Sequence, residues 1–170
     1  MFKGTYHHRI DGKGRLPVPA AFRRGLAAER AGSVVVTLLD QCLACYPPAE
    51  WARLEVQLQA LPAFSRPVKA LVRVLASRAA DCEIDVQGRV LVPQPLRVAA
   101  GLRQDVVVVG VLNRFEVWAP ENWDSLLRDS ERLLEDATLD VHWPLPPAAP
   151  VPALPGSPPA DALPQRKPKR

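Results

Sequence analysis

A β-rich α+β fold built from two tandem repeats is the class this chain predicts, and three observations predict it. The first is internal repetition. Asp11-Gly-Lys-Gly-Arg-Leu-Pro-Val-Pro-Ala-Ala-Phe-Arg23 aligns with Asp85-Val-Gln-Gly-Arg-Val-Leu-Val-Pro-Gln-Pro-Leu-Arg97, identical at six of thirteen positions. After a two-residue difference in length the likeness resumes, with Val34-Val-Val-Thr and Tyr46-Pro-Pro-Ala-Glu-Trp51 matching Val106-Val-Val-Val and Trp118-Ala-Pro-Glu-Asn-Trp123. The second is the run of short, β-branched segments bounded by turn residues in each unit. The third is the set of proline-opened segments whose apolar residues recur at helical spacing. A unit of about seventy residues is small for an independent core, so the two are expected to complete one another.

Each unit reads in the same order. A strand (Thr5–Ile10; Cys82–Ile84) runs into a tight turn, Asp11-Gly-Lys-Gly14 or Asp85-Val-Gln-Gly88. Asp at the start of such a turn accepts bonds from the loop amides, and Gly at its end tolerates positive φ. A short strand (Arg15–Val18; Arg89–Val92) leads to Pro19 or Pro93 and a short helix, ending near Gly25–Gly32 or at Gly101. Two hairpins follow, Val34–Leu38 with Leu43–Tyr46 and Val106–Val111 with Phe115–Trp118, the second turning at Asn113-Arg114. Pro17 has no N–H for a ladder, which marks its strand as short or at an edge.

A helix closes each unit. Pro48 opens one carrying Trp51, Leu54, Leu58 and Leu61; Pro120 opens a longer one carrying Trp123, Leu126, Leu127, Leu134 and Ala137. Between the units Ser65 caps a helix with Val68, Leu71, Val72, Leu75 and Ala79. These stripes are expected to bury core, with a subunit interface as the other use. The organisation is therefore a first repeat over 1–64, a connecting helix over 65–79, a second repeat with its C-terminal helix over 80–140, and a tail over 141–170. Ten prolines fall between Pro144 and Lys169, so the tail is expected to be disordered and polyproline-like, ending in basic residues.

The formal net charge is +4 over 170 residues, of which the tail holds +3. The folded part is polarised rather than basic: residues 1–25 carry +5 and residues 121–140 carry −5. A basic end suits an anionic partner such as nucleic acid. No apolar run approaches the roughly 20 residues of a membrane-spanning helix, and the N-terminus has no apolar stretch before a small-residue cleavage site. Three cysteines do not make a disulfide framework, so a reducing cytoplasm is the expected compartment.

Catalytic motifs are not found: there is no Gly-x-Ser-x-Gly, His-Glu-x-x-His or Walker loop. His7 and His8 are neighbours on a strand and point to opposite faces, so they cannot share a metal. Cys42-x-x-Cys45 has redox or zinc spacing, but it enters a strand and lacks a second pair. No catalytic residue, metal ligand or cofactor is expected. The Asp-x-x-Gly-Arg turn is the strongest signal. It can lift Arg15 and Arg89 toward a phosphate or a guanine edge, or it can use Asp-to-Arg pairing to fix the hairpin. Residues 6–23 carry +3 and residues 80–97 carry −1. DNA contact is therefore expected from Lys13, Arg15, Arg9, Arg23 and Arg24. Asp11, Gly14, Asp85, Gly88 and Arg89 are expected to build the loops or to add a secondary contact.

Phe2-x-Gly-Thr-Tyr6, Asp11-x-Lys-Gly-Arg15, Pro19-x-x-Phe-Arg23, Tyr46-Pro and Val109-Gly-Val-Leu-Asn-Arg-Phe-Glu-x-Trp118 together resemble the MraZ family over about residues 1–140. The resemblance implies a pseudo-symmetric swapped-hairpin (double-split) β-barrel of two SpoVT–AbrB-type repeats with flanking helices, assembled into a homo-oligomeric ring. It further implies a nucleoid-associated regulator of transcription that binds direct repeats in double-stranded DNA upstream of its own gene, in the division and cell-wall cluster. The family's Asp-x-x-x-Arg motif falls on Asp11–Arg15 and Asp85–Arg89. His7-His8 stands where a neutral or acidic pair is more usual, and the tail exceeds the usual family length. Two other readings stay open: an oligomeric adaptor for an acidic protein, and an antitoxin-like regulator.

Overall fold

The computed structural model describes residues 1–28 and 31–135. The expected tail over 141–170, and Ala137 on the last helical stripe, lie outside the described residues. In chain order the elements are β1 (Phe2–Arg9), β2 (Arg15–Pro17), α1 (Ala20–Ala28), β3 (Ser33–Leu39), β4 (Cys42–Tyr46), α2 (Pro48–Gln59), α3 (Arg66–Ser77), β5 (Ala80–Glu83), β6 (Arg89–Leu91), α4 (Gln94–Ala99), β7 (Asp105–Leu112), β8 (Arg114–Trp118) and α5 (Pro120–Glu135). Each repeat thus supplies two strands, a short helix, a hairpin and a longer helix.

The strands do not pair repeat by repeat. One antiparallel sheet runs in the order β1-β7-β8-β4-β3-β5, and β2 pairs with β6 in a separate two-stranded ribbon. The first strand of each repeat lies on the hairpin of the other, β1 on β7 and β5 on β3. The two hairpins meet where Leu43, Ala44 and Cys45 face Val117, Glu116 and Phe115, and the ribbon is centred on Leu16 opposite Val90. Ala44 and Glu116, and likewise Leu16 and Val90, are equivalent positions of the two repeats, so a pseudo-twofold axis passes through both junctions. The expected barrel is not closed by these ladders. β1 and β5 are the two edges of the sheet, and each ribbon strand is three residues long. Pro17 ends β2 because it has no amide proton to extend the ladder.

Alternation along the strands produces two apolar layers. On one face Val34, Val36, Leu43, Cys45, Val106, Val108, Phe115 and Val117 pack with Phe22 and Leu26 of α1 and Leu96 of α4. Phe2 meets Phe22 and Phe115 edge-on at 5.3 and 5.5 Å, and Tyr6 meets Phe22 at 5.1 Å. On the other face Cys42, Val107, Val109 and Trp118 pack beside Trp123 of α5. Thr37 reaches this face and donates to the Leu75 carbonyl of α3 at 2.9 Å, satisfying a buried hydroxyl.

Three local expectations are corrected. The stripes of α2, α3 and α5 bury little core: α2 and α5 hold no fully buried residue, α3 only Leu75, and of the α5 stripe Trp123 alone packs on the second apolar layer, because α1, α4 and the ribbon already cover the main apolar face. The second hairpin turns at Leu112-Asn113, one residue before Asn113-Arg114, with Leu112 at φ +60. Arg114 is held inside β8 because it shares a face with the buried Glu116, to which its Nε and Nη2 donate at 3.0 and 2.8 Å. Trp118 donates to the same carboxylate at 3.1 Å, so the buried charge is paired and fully bonded. Ser65 stands at the N-cap of α3 without a side-chain capping bond. The first hairpin turns at Asp40-Gln41 with both residues at positive φ, the backbone a two-residue connection needs.

Candidate nucleic-acid interface

The Asp-x-x-Gly-Arg turns are built alike. Asp11 Oδ1 accepts the amides of Lys13 at 2.9 Å and Arg15 at 3.0 Å, while Oδ2 accepts Arg15 Nε at 2.7 Å. Asp85 does the same with Gln87 and Arg89, both at 2.9 Å, and with Arg89 Nε at 2.8 Å. Backbone bonds from Gly14 to Asp11 and from Gly88 to Asp85 close each turn, with the glycines at φ +85 and +74. Both the scaffolding and the presenting uses of the motif are therefore compatible in one residue: the Nε edge of Arg15 fixes the turn, and its Nη groups have no protein partner among the described residues.

These bonds stabilise the ionised carboxylates. The Arg15 amide, then the Arg15 guanidinium and the Lys13 amide, hold Asp11 down at about 2 from the ordinary 3.8. Asp85 is lowered chiefly by the Arg89 side chain, then by the amides of Arg89 and Gln87. A depressed native pKa means that the stabilisation is complete above the ordinary carboxylate value and is lost as pH falls through the native one. Thermal stability is therefore expected to decline between about pH 4 and pH 2. Asp11→Asn, which cannot titrate, should flatten that decline in melts followed by circular dichroism; an unchanged pH profile would contradict the role given to Asp11.

The repeats also exchange arginines. Arg23 of α1 donates to the Gln87 carbonyl at 3.1 Å and lies against Gly88, where an added Cβ would stand 2.1 Å from its Nη1. Arg97 of α4 lies against Gly14 in the same way, 2.8 Å from a Cβ there, with its Nε donating to Val92 O at 3.1 Å. The backbone follows suit: Val18 N bonds Gly88 O at 2.9 Å and Val92 N bonds Gly14 O at 3.0 Å. Each turn is thus seated on the short helix of the other repeat.

Of the five expected DNA contacts, Lys13 and Arg15 sit together on the first turn. Arg9 ends β1 and pairs with Asp105 at 2.8 Å, an exposed pair of small energetic weight. Arg23 is brought to the second turn rather than the first, and Arg24 is exposed beside it on α1. Two residues not singled out from sequence join the first turn instead. Arg97 and Arg103 line a cleft of about 230 Å³ with Asp11 and Gly12. Arg97 carried a signal, since it is the last identical position of the repeat. Arg103 carried none, because only the β1–β7 pairing brings it there.

The neighbourhoods of the two turns differ in charge. Arg9, Lys13, Arg15, Arg97 and Arg103 surround the first, against Asp11 and Asp105. Among the described residues the second has Arg23 and Arg89 against Glu83 and Asp85, with Arg24 exposed next to Arg23 and a fully exposed Val86 at its tip. Chemistry elsewhere is sparse. Cys42 and Cys45 lie on opposite faces of β4, all three thiols are buried and free, and burial raises each, Cys82 to about 11. Among the described residues no cluster of His, Cys, Asp and Glu could hold a metal, and no helix is long and apolar enough to cross a membrane.

The family model described as "MraZ protein, putative antitoxin-like" matches residues 1–74 and again 75–140. A transcriptional regulator MraZ of Limosilactobacillus reuteri is 44% identical over 144 residues, covering 82% of this chain and 99% of the relative. The regulator of the same name from Ligilactobacillus salivarius is 46% identical over 137 residues, 80% of this chain and 93% of its own. That of Desulforamulus reducens is 45% identical over 141 residues, 83% and 97% respectively.

Proposed function

The chain belongs to the MraZ family, and from that premise we propose that it is a transcriptional regulator that binds double-stranded DNA through the turn Asp11–Arg15. The observation that carries this reading is the asymmetry between two turns of the same construction. Both are held by the same bonds, but among the described residues the first stands among five cations and two carboxylates and the second among fewer cations. A turn fixed by its own hydrogen bonds, with a guanidinium at its rim, can present Arg15 to a groove, where it can take guanine O6 and N7 or grip a phosphate. Lys13, Arg15 and Arg9 are the contacts, with Arg23, Asp11, Gly14, Asp85, Gly88 and Arg89 holding the turns; Arg24, beside Arg23 on α1, is not among the contacts of the first turn. Residues 1–64 and 80–140 are then the two SpoVT–AbrB-type repeats around the connecting helix 65–79. The exchange of β1, β5 and the ribbon between them supports the swapped-hairpin reading. The target is a set of direct repeats upstream of the chain's own gene, in the division and cell-wall cluster. The protein works as a cytoplasmic, nucleoid-associated regulator rather than as an enzyme.

We infer too that it acts as a homo-oligomeric ring. Leu71 and Val74 of α3, Val56 of α2, and Leu126, Leu127, Leu133 and Leu134 of α5 are exposed, and apolar side chains on helix faces are candidates for contact between copies. The two displays differ in sign. α3 carries three cations and no carboxylate, whereas α5 carries five carboxylates and two arginines. Unlike, complementary faces make head-to-tail contacts, which close into rings when the rotation permits.

A competition assay tests the binding partner. Labelled DNA from upstream of the gene is offered to the full chain at about 150 mM salt, because lower salt inflates non-specific binding. Unlabelled duplex should displace it, whereas polyglutamate at equal charge should not. Displacement by polyglutamate alone would favour an adaptor for an acidic protein.

A further inference from the structure

The two turns provide an internal comparison, because every position of one has a counterpart in the other. Ile10 N bonds the Gln104 carbonyl at 2.7 Å and Ile84 N bonds the Gly32 carbonyl at 2.9 Å, which makes Gln104 equivalent to Gly32 and Arg103 to Ala31. Gly12 at the first tip corresponds to Val86 at the second, and a side chain at Gly12 would meet nothing within 4 Å. The first turn therefore borders an open cleft with two guanidinium groups on its wall. At the second turn, the described residues in the corresponding positions are Arg23, Ala31 and Val86.

The cleft is pre-arranged for an anion. Arg97 is fixed by its Nε bond to Val92 O and by its packing on Gly14, and its Nη groups have no hydrogen-bond partner among the described residues. Arg103 is exposed and has no ion-pair or hydrogen-bond partner among the described residues. The Asp11 carboxylate on the wall is already engaged by two amides and Arg15 Nε. Its charge is thus directed into the turn. A planar fork and a second cation beside an open glycine suit the tetrahedral oxygens of a phosphate.

We propose that Arg97, Arg103 and the Gly12 tip form a phosphate-binding site in which the second repeat completes the first repeat's turn. Resting on the DNA-binding reading above, the ligand is a backbone phosphate next to the bases that Lys13 and Arg15 reach. Phosphate contacts set register without reading sequence. The site makes the two halves of the chain act on DNA as one reader, with a single active turn per protomer.

The test measures affinity for the upstream duplex and for an unrelated duplex across a salt series from about 50 to about 200 mM. Arg103→Ala should weaken both duplexes by the same factor and lower the slope of log affinity against log salt by about 0.9, one phosphate contact. Arg97→Gln should lower it by the same amount again, and Val86→Ser should leave it unchanged. Arg103 holds nothing in place, so its variant remains folded and decisive even where Arg97→Gln is not. A wild-type slope in Arg103→Ala overturns the site. Should the wild-type chain bind neither duplex, the DNA reading fails and the site is judged with inorganic phosphate by NMR. Shifts of the Gly12 amide and Arg97 Nε–H that vanish in Arg103→Ala uphold it, and their absence in the wild type overturns it.

Discussion

Gly110→Ala is expected to destabilise the chain by about 3–5 kcal/mol, the range seen when a buried aromatic is lost. Gly110 lies opposite Gly4 in the β1–β7 ladder. A Cβ there would stand 2.3 Å from Lys3 N and 2.5 Å from Phe2 C, contacts that no rotamer can relieve because both atoms are backbone. β1 is an edge strand, so the cheapest response is for its N-terminal half to lift away. That withdraws Phe2, 1% exposed, from Phe22 and Phe115, and opens the aromatic cluster shared by both repeats. Urea unfolding measures the effect. Gly12→Ala, whose Cβ meets nothing, should stay within about 0.5 kcal/mol of the parent. A loss below about 1 kcal/mol for Gly110→Ala would mean that β1 adapts without leaving the core.

The second large effect concerns assembly. One turn offers only a few phosphate contacts, and such binding is weak and salt-sensitive. Several turns on one ring engaging repeated sites raise the apparent affinity by about 10² to 10⁴ through effective concentration, provided the spacing fits. Leu127→Glu with Leu134→Glu puts charge on the exposed face of α5 without touching a buried residue. The variant is expected to run as a monomer by light scattering and to lose about 10²-fold or more in affinity for DNA carrying the repeats. Its affinity for a single site should hardly change. A monomer with undiminished affinity for the repeated DNA would remove avidity from the account.

Much of this molecule is legible in its sequence because duplication writes each feature twice. The Asp11 and Asp85 turns could be read down to the bonds that Asp accepts, since turn chemistry is local and short side chains leave few choices. The hairpin strands were legible for the same reason, with boundaries shifted by a residue or two. What could not be read is pairing between distant segments. Nothing in Phe2–Arg9 says that it lies on the second repeat's hairpin, and nothing local moves Arg23 from its own turn to the other. Both follow from the exchange of strands. The stripes of α2 and α5 misled because helical periodicity reports that a face is apolar, not what covers it. Trp123 does reach the sheet, whereas Leu126, Leu127 and Leu134 on the same helix do not. At the second hairpin, Asn113-Arg114 looked like a turn because the partner of Arg114, the buried Glu116, is two residues away on the same strand face.

The claim that one of two matching turns reads DNA is tested most directly by Arg15→Gln and Arg89→Gln, compared by fluorescence anisotropy. The ligand is DNA from upstream of the gene at about 150 mM salt, with unrelated DNA of equal length as the reference. Each variant loses the Nε bond to its turn aspartate, and Arg89→Gln also loses an Nη2 contact to Asp85 at 2.7 Å, so structural damage is compared in matched melts. Arg15→Gln is expected to abolish the preference for upstream DNA, a loss of about 1–3 kcal/mol at each engaged turn, while Arg89→Gln retains it. Equal losses in the two variants, or a preference that survives Arg15→Gln, would contradict it.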